Sequence, residues 1–167
     1  MSDVIRLLEE RLEQHNLHFT KKPILIGGMA MEYYGMRKSG ADIDLVICDE
    51  DYQALARQYP DNRKDIWGDL GVVIGPFEIW RCIALLDYDF YAKDAIDEGI
   101  ALVLSLDRLL LTRVLARSVP KYAEDLQRIE NYYHEKFTNH AYWQESAKHM
   151  KSYQMLGGTV FGGKYVD

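Results

Sequence analysis

The chain has 167 residues, 48% of them hydrophobic, and a formal net charge of -6. That length suits one domain with a sizeable core, and the negative balance argues against nonspecific nucleic-acid binding, which needs many cations to neutralise phosphates. There is no run of 18 or more apolar residues, and Met1-Ser2-Asp3 opens an acidic amphipathic helix rather than a signal peptide, so a cytoplasmic protein with no membrane association is expected.

Val4, Ile5, Leu7, Leu8 and Leu12 give the N-terminal helix its apolar face. Ile24-Leu25-Ile26 then reads as a short strand running into the turn Gly27-Gly28, with a helix from Met29 onward. Two glycines permit close backbone approach, and the N–H groups that open the helix suit a phosphate. Lys21, Lys22, Arg37 and Lys38 bracket this turn, and the three lysines read as surface residues.

Asp42-Ile43-Asp44-Leu45-Val46-Ile47 is the most informative stretch. Carboxylates at i and i+2 of a strand share a face and lie roughly 6–7 Å apart at Cα. They can share two divalent ions about 3.5–4 Å apart, the spacing of two-metal phosphoryl-transfer sites.

A helix over 51–59 and a polar loop over 61–65 follow, then a strand over 70–74 and a Gly75-Pro76 turn. Phe77-Glu78-Ile79-Trp80 has the pattern of a strand showing one acidic side chain, and it is expected to continue to about Leu86. Glu78 is the candidate third carboxylate, with Asp87 and Asp89 as competitors. A helical region at 92–97, a strand at 100–104 and a helix with Ser105 as N-cap complete the core. Cys48 and Cys82 lack His or Cys neighbours at metal spacing and are read as buried and reduced.

In order and spacing, these motifs resemble the nucleotidyltransferase superfamily with the polymerase-beta-like core, in particular its small bacterial minimal and AbiEii-type members. Gly27-Gly28, Arg37-x-Ser39 and Asp42-Ile43-Asp44-Leu45 carry the likeness, which spans about 24–129. Gly40 stands where many members have Thr. The segment from Ser105 to Arg113 resembles the family's helix after the core, with Arg113 in place of the usual Lys, and Lys121-Tyr122-x-x-Asp125-Leu126 resembles the stretch beyond it. Lys121 and Asp125 are assigned structural roles.

The resemblance implies an α+β fold, with a nucleotidyltransferase-like mixed sheet of about four to five strands flanked by helices and a C-terminal helical extension. Domains are expected at 1–130 and 131–167. It implies Mg²⁺ (or Mn²⁺) held by Asp42, Asp44 and Glu78, which would also be the catalytic residues, and a nucleoside triphosphate contacted by Gly27, Gly28, Arg37, Ser39 and Arg113. A nucleoside monophosphate would pass to an acceptor, whether small molecule, tRNA or protein, that the shared motif does not specify.

Other readings stay open. The fold could bind nucleotide without catalysis, or serve as one half of a toxin-antitoxin pair or as a homodimer. A histidine-based phosphodiesterase fits less well, since His15, His18, His134, His140 and His149 all lie outside the Asp-x-Asp region. Trp143, Ala147, Met150 and Gln154 are spaced for an aromatic-rich helix over 139–153, and the echo of Gly157-Gly158 in Gly162-Gly163 reads as a flexible or docking tail.

Overall fold

The computed structural model describes residues 2–138 together with 145, 147, 148 and 151. The glycine-rich tail and most of the expected 139–153 helix lie outside the described residues. The chain divides into two compact units, Met1–Arg128 and Ile129–Asp167.

Helix α1 (Asp3–Gln14) starts where the Ser2 side chain accepts a hydrogen bond from the Ile5 N–H at 3.3 Å, a cap worth about 1 kcal/mol. It buries Val4, Ile5, Leu8 and Leu12, whereas Leu7 points away and is exposed. Strand β1 (Ile24–Leu25) leads directly into helix α2 (Gly27–Tyr33), so the two glycines open the helix instead of forming a separate turn before it. Strand β2 (Ile43–Val46) follows, with Asp42 just ahead of it, and helix α3 (Asp49–Gln58) carries three acidic residues in its first turn, where the helix dipole favours them.

The polar segment after α3 is not a loop. A 3₁₀ turn at Pro60–Asn62 passes into strand β3 (Arg63–Ile66), which hairpins into β4 (Asp69–Ile74). An edge strand tolerates charged side chains on both faces, so its composition imitates a loop. Strand β5 (Phe77–Trp80) also ends earlier than expected: β6 (Cys82–Ile83) and β7 (Leu86–Asp87) form a separate hairpin whose turn residues Ala84 and Leu85 have φ of 53° and 61°. Asp69 holds that turn by accepting both of their N–H groups, at 2.7 and 2.8 Å.

Helix α4 (Tyr88–Ala92) lies ahead of the expected helical region, and Ile96–Asp97 forms strand β8 beside β9 (Leu102–Val103). Helix α5 (Leu106–Leu115) has Ser105 at its N-cap position, but the Ser105 hydroxyl makes no capping bond and is buried without a hydrogen-bond partner among the described residues. Helix α6 is Pro120–Thr138.

The result is an α+β fold with a mixed sheet flanked by helices. Its seven strands run in the order β3-β4-β5-β2-β1-β9-β8, more than the four to five expected, because the charged edge strand β3 and the two-residue strands β8 and β9 extend it at both ends. Pairing is parallel between β2 and β5 and between β1 and β9, and antiparallel elsewhere in the sheet.

Strand alternation decides which side chains meet the core. Leu25, Ile43, Leu45, Val72, Ile74, Phe77, Ile79 and Val103 pack in one apolar cluster with the buried residues of α1 and with Tyr52 and Leu55 of α3. The intervening residues, Asp44 and Glu78 among them, are thereby sent to the opposite face of the sheet.

Candidate active site

The parallel pairing of β2 and β5 places Asp44 and Glu78 in register, each the other's Cα partner. Asp42, Asp44 and Glu78 line one polar lobe, about 200 Å³, of a cleft over this face. An adjoining lobe of about 340 Å³ shares Asp44 and Glu78 and is walled by Trp80, Ile66, Ile83 and Tyr122. Asp87 and Asp89 line a different cavity, and the Asp87 carboxylate caps α4 by accepting the Phe90 N–H at 3.1 Å. Of the candidate third carboxylates, Glu78 shares the cleft with Asp44.

Gly27 explains why the Asp44 carboxylate can sit where it does. Its φ is +64°, a left-handed value, and an added Cβ would overlap the carboxylate, within 2.8 Å of its Cγ. Position 27 therefore excludes side chains twice, once by backbone conformation and once by space. Gly28 is different: a Cβ there would meet its nearest atoms, Arg37 Nη1 and the Gly40 nitrogen, at 3.5 and 3.7 Å. Both glycines line the cleft, and the N-cap residue Ile26 has no side chain able to cap the first N–H groups of α2.

The cations come from four directions. Arg37, Lys64, Arg113 and Lys121 all line the larger lobe. Arg37 donates to both oxygens of Asp125, from Nε at 2.6 Å and Nη2 at 2.9 Å, and Arg113 Nε donates to Asp125 Oδ2 at 3.0 Å. The Arg113 guanidinium also lies 4.9 Å from the centre of the Tyr122 ring. Burial works to raise the Asp125 carboxyl, but the two guanidinium groups outweigh it and hold Asp125 below its ordinary value. Asp44 shows the opposite balance. Burial, then the negative charge of Glu78 and Asp42, pushes it above the usual carboxylate value, against the pull of Arg113 and Lys121.

Ser39 is not among the cleft residues. Its hydroxyl donates to Glu32 Oε2 at 2.6 Å and its N–H at 2.9 Å, while Lys38 Nζ reaches Glu32 Oε1 at 2.8 Å. Glu32 thus ties the loop before β2 back to α2, and Ser39 serves that tie.

Lys121, which the sequence reading leaves structural, and Tyr122, to which it gives no role, both line the cleft; Lys121 stands one helical turn before Asp125, a spacing that places both on one face of α6. Lys64 arrives on the unexpected edge strand and pairs with Glu78, Nζ to Oε1, at 3.1 Å. Its strand turns into β4 through Trp67 and Gly68, whose φ of 57° and 101° make a tight hairpin.

Asp42, Asp44 and Glu78 offer an all-oxygen donor set, which suits Mg²⁺ or Mn²⁺. Among the described residues, no three His, Cys, Asp or Glu side chains are gathered closely enough to hold an ion as they stand. Glu78 is engaged instead by Lys64, at 3.1 Å. No family model, curated protein or solved structure matches the chain.

Proposed function

We propose that this protein is a Mg²⁺- or Mn²⁺-dependent nucleotidyltransferase, moving a nucleoside monophosphate from a nucleoside triphosphate to a hydroxyl or amine acceptor with release of pyrophosphate. The observation that carries the reading is the in-register Asp44–Glu78 pair on the sheet face away from the core, fitted against a glycine that leaves room for the Asp44 carboxylate. Asp42, Asp44 and Glu78 would hold the ion, which supplies electrostatic stabilisation of charge developing at the α-phosphorus. Gly27 and Gly28 keep the cleft floor free of side chains, so the phosphate chain can approach the backbone. Arg113, Lys121 and the part of Arg37 not engaged by Asp125 offset phosphate charge. Trp80, Ile83 and Tyr122 supply apolar wall for the nucleoside.

A second reading, nucleotide binding without transfer, is favoured by the Lys64–Glu78 ion pair, which engages the third carboxylate. One experiment separates the two. The protein is incubated with α-³²P-labelled nucleoside triphosphates, Mg²⁺ and separate pools of tRNA, cell protein and small hydroxyl- or amine-bearing acceptors. Label transferred by wild type and abolished in Asp44→Asn supports the enzyme. Metal-dependent triphosphate binding without label transfer supports the silent binder, and transfer undiminished in Asp44→Asn defeats the mechanism.

A further inference from the structure

We propose that Lys64 is a built-in counter-cation of the carboxylate site, a positioning residue that holds Glu78 until a divalent ion takes the carboxylate and expels the ammonium. The inference rests on reading Asp42, Asp44 and Glu78 as a metal site. It adds a competitor built into the chain, one that makes the empty site stable and weakens the hold on metal when no nucleotide is present.

The geometry is specific. Lys64 lies opposite Gly71, and Gly71 lies opposite Trp80 on the next strand. A Cβ at Gly71 would come within 2.8 Å of Trp80 Cε3, so the glycine makes room for the indole to lie across its strand. The Lys64 ammonium stands 5.2 Å from the centre of that ring and 3.1 Å from Glu78 Oε1. A lysine from the sheet edge is thereby guided over an aromatic surface to the carboxylate that faces Asp44.

Without that ammonium, Glu78 and Asp44 would meet in register with no cation bound to Glu78. A divalent ion neutralises the group better than one ammonium but draws on the same Glu78 carboxylate, which Lys64 engages through Oε1. The two cations therefore compete, and metal affinity is reduced by whatever the Lys64 contacts contribute. The paired side chains are 37% and 30% exposed, so that contribution is modest. With the cation–π contact added, it amounts to about tenfold in affinity.

The test is Mn²⁺ binding without nucleotide, read from the electron paramagnetic resonance signal of free Mn²⁺, in wild type, Lys64→Met, Lys64→Arg and Lys121→Met. Lys121 lines the same cleft and has no ion-pair partner among the described residues, so its variant measures the general effect of removing a positive charge. Lys64→Met is expected to bind Mn²⁺ about tenfold tighter than wild type, well beyond Lys121→Met, and Lys64→Arg to stay close to wild type. In a Trp67→Phe/Trp143→Phe background, where Trp80 is the sole tryptophan, Mg²⁺ should shift the emission with Lys64 present and leave it unchanged in Lys64→Met. Equal gains in Lys64→Met and Lys121→Met, or Mg²⁺ binding that leaves Trp80 emission unmoved, would overturn the proposal while the metal site stands. Failure of every variant to bind Mn²⁺ would overturn both.

Discussion

Arg37 grips Asp125 with two parallel hydrogen bonds, Nε at 2.6 Å and Nη2 at 2.9 Å, joining the loop before β2 to the start of α6 across 88 residues of chain. Arg113 binds the same carboxylate, whose side chain is 2% exposed. The cluster orders two of the four cleft cations.

Removing the shared carboxylate leaves the buried Arg113 guanidinium and the half-buried one of Arg37 without their anion. Asp125→Ala is expected to cost about 3–5 kcal/mol, the usual range for breaking a buried pair. Urea denaturation at neutral pH measures it, and a loss below about 1 kcal/mol would mean that water or another group compensates.

The two glycines at the cleft floor should behave unequally. Gly27→Ala places a Cβ into the Asp44 carboxylate at a left-handed backbone position, so a loss of at least about 2 kcal/mol is expected. Gly28→Ala meets only ordinary contacts and should fold nearly as well as wild type, apart from the small helix-propensity gain of Ala over Gly. Thermal unfolding of the two variants side by side checks the contrast.

In metal-free buffer, Asp44→Asn removes a charge that burial, Glu78 and Asp42 all disfavour. Its thermal midpoint at neutral pH should match or exceed that of wild type. A midpoint several degrees lower would show that the Asp44 charge is structurally required, contrary to the repulsion argument.

Glu32 supplies a pH test. Its hydrogen bonds from Lys38 and Ser39 lower its pKa from 4.5 to about 2. A depressed carboxylate contributes stability that is present above the unfolded value and lost as pH falls through the folded one. The stability gap between wild type and Glu32→Gln should therefore be constant above about pH 5 and close between pH 4.5 and 2. Chemical denaturation at stepped pH reads that gap, and a difference that is flat across this window would place the Glu32 contacts outside the energetics of folding.

Much of the site's framework is legible in the sequence because it depends on local periodicity. Ile43 and Leu45, like Phe77 and Ile79, must share a face, and once those apolar pairs enter the core Asp44 and Glu78 have to emerge on the other side. The glycines before the Asp-x-Asp strand, and the helices at α1 and α3, are visible for the same reason. The register that sets Asp44 opposite Glu78 was decided by the tertiary structure, because strand pairing is non-local. So was the arrival of Lys64, whose edge strand has charged residues where a buried strand would show an apolar pattern. Ser39 carries a hydroxyl suited to phosphate, yet Glu32 holds it, and Asp125 reads as a packing residue, yet it organises Arg37 and Arg113. Ion pairs of this kind leave no periodic trace along the chain, since each depends on where separate segments come to rest after folding.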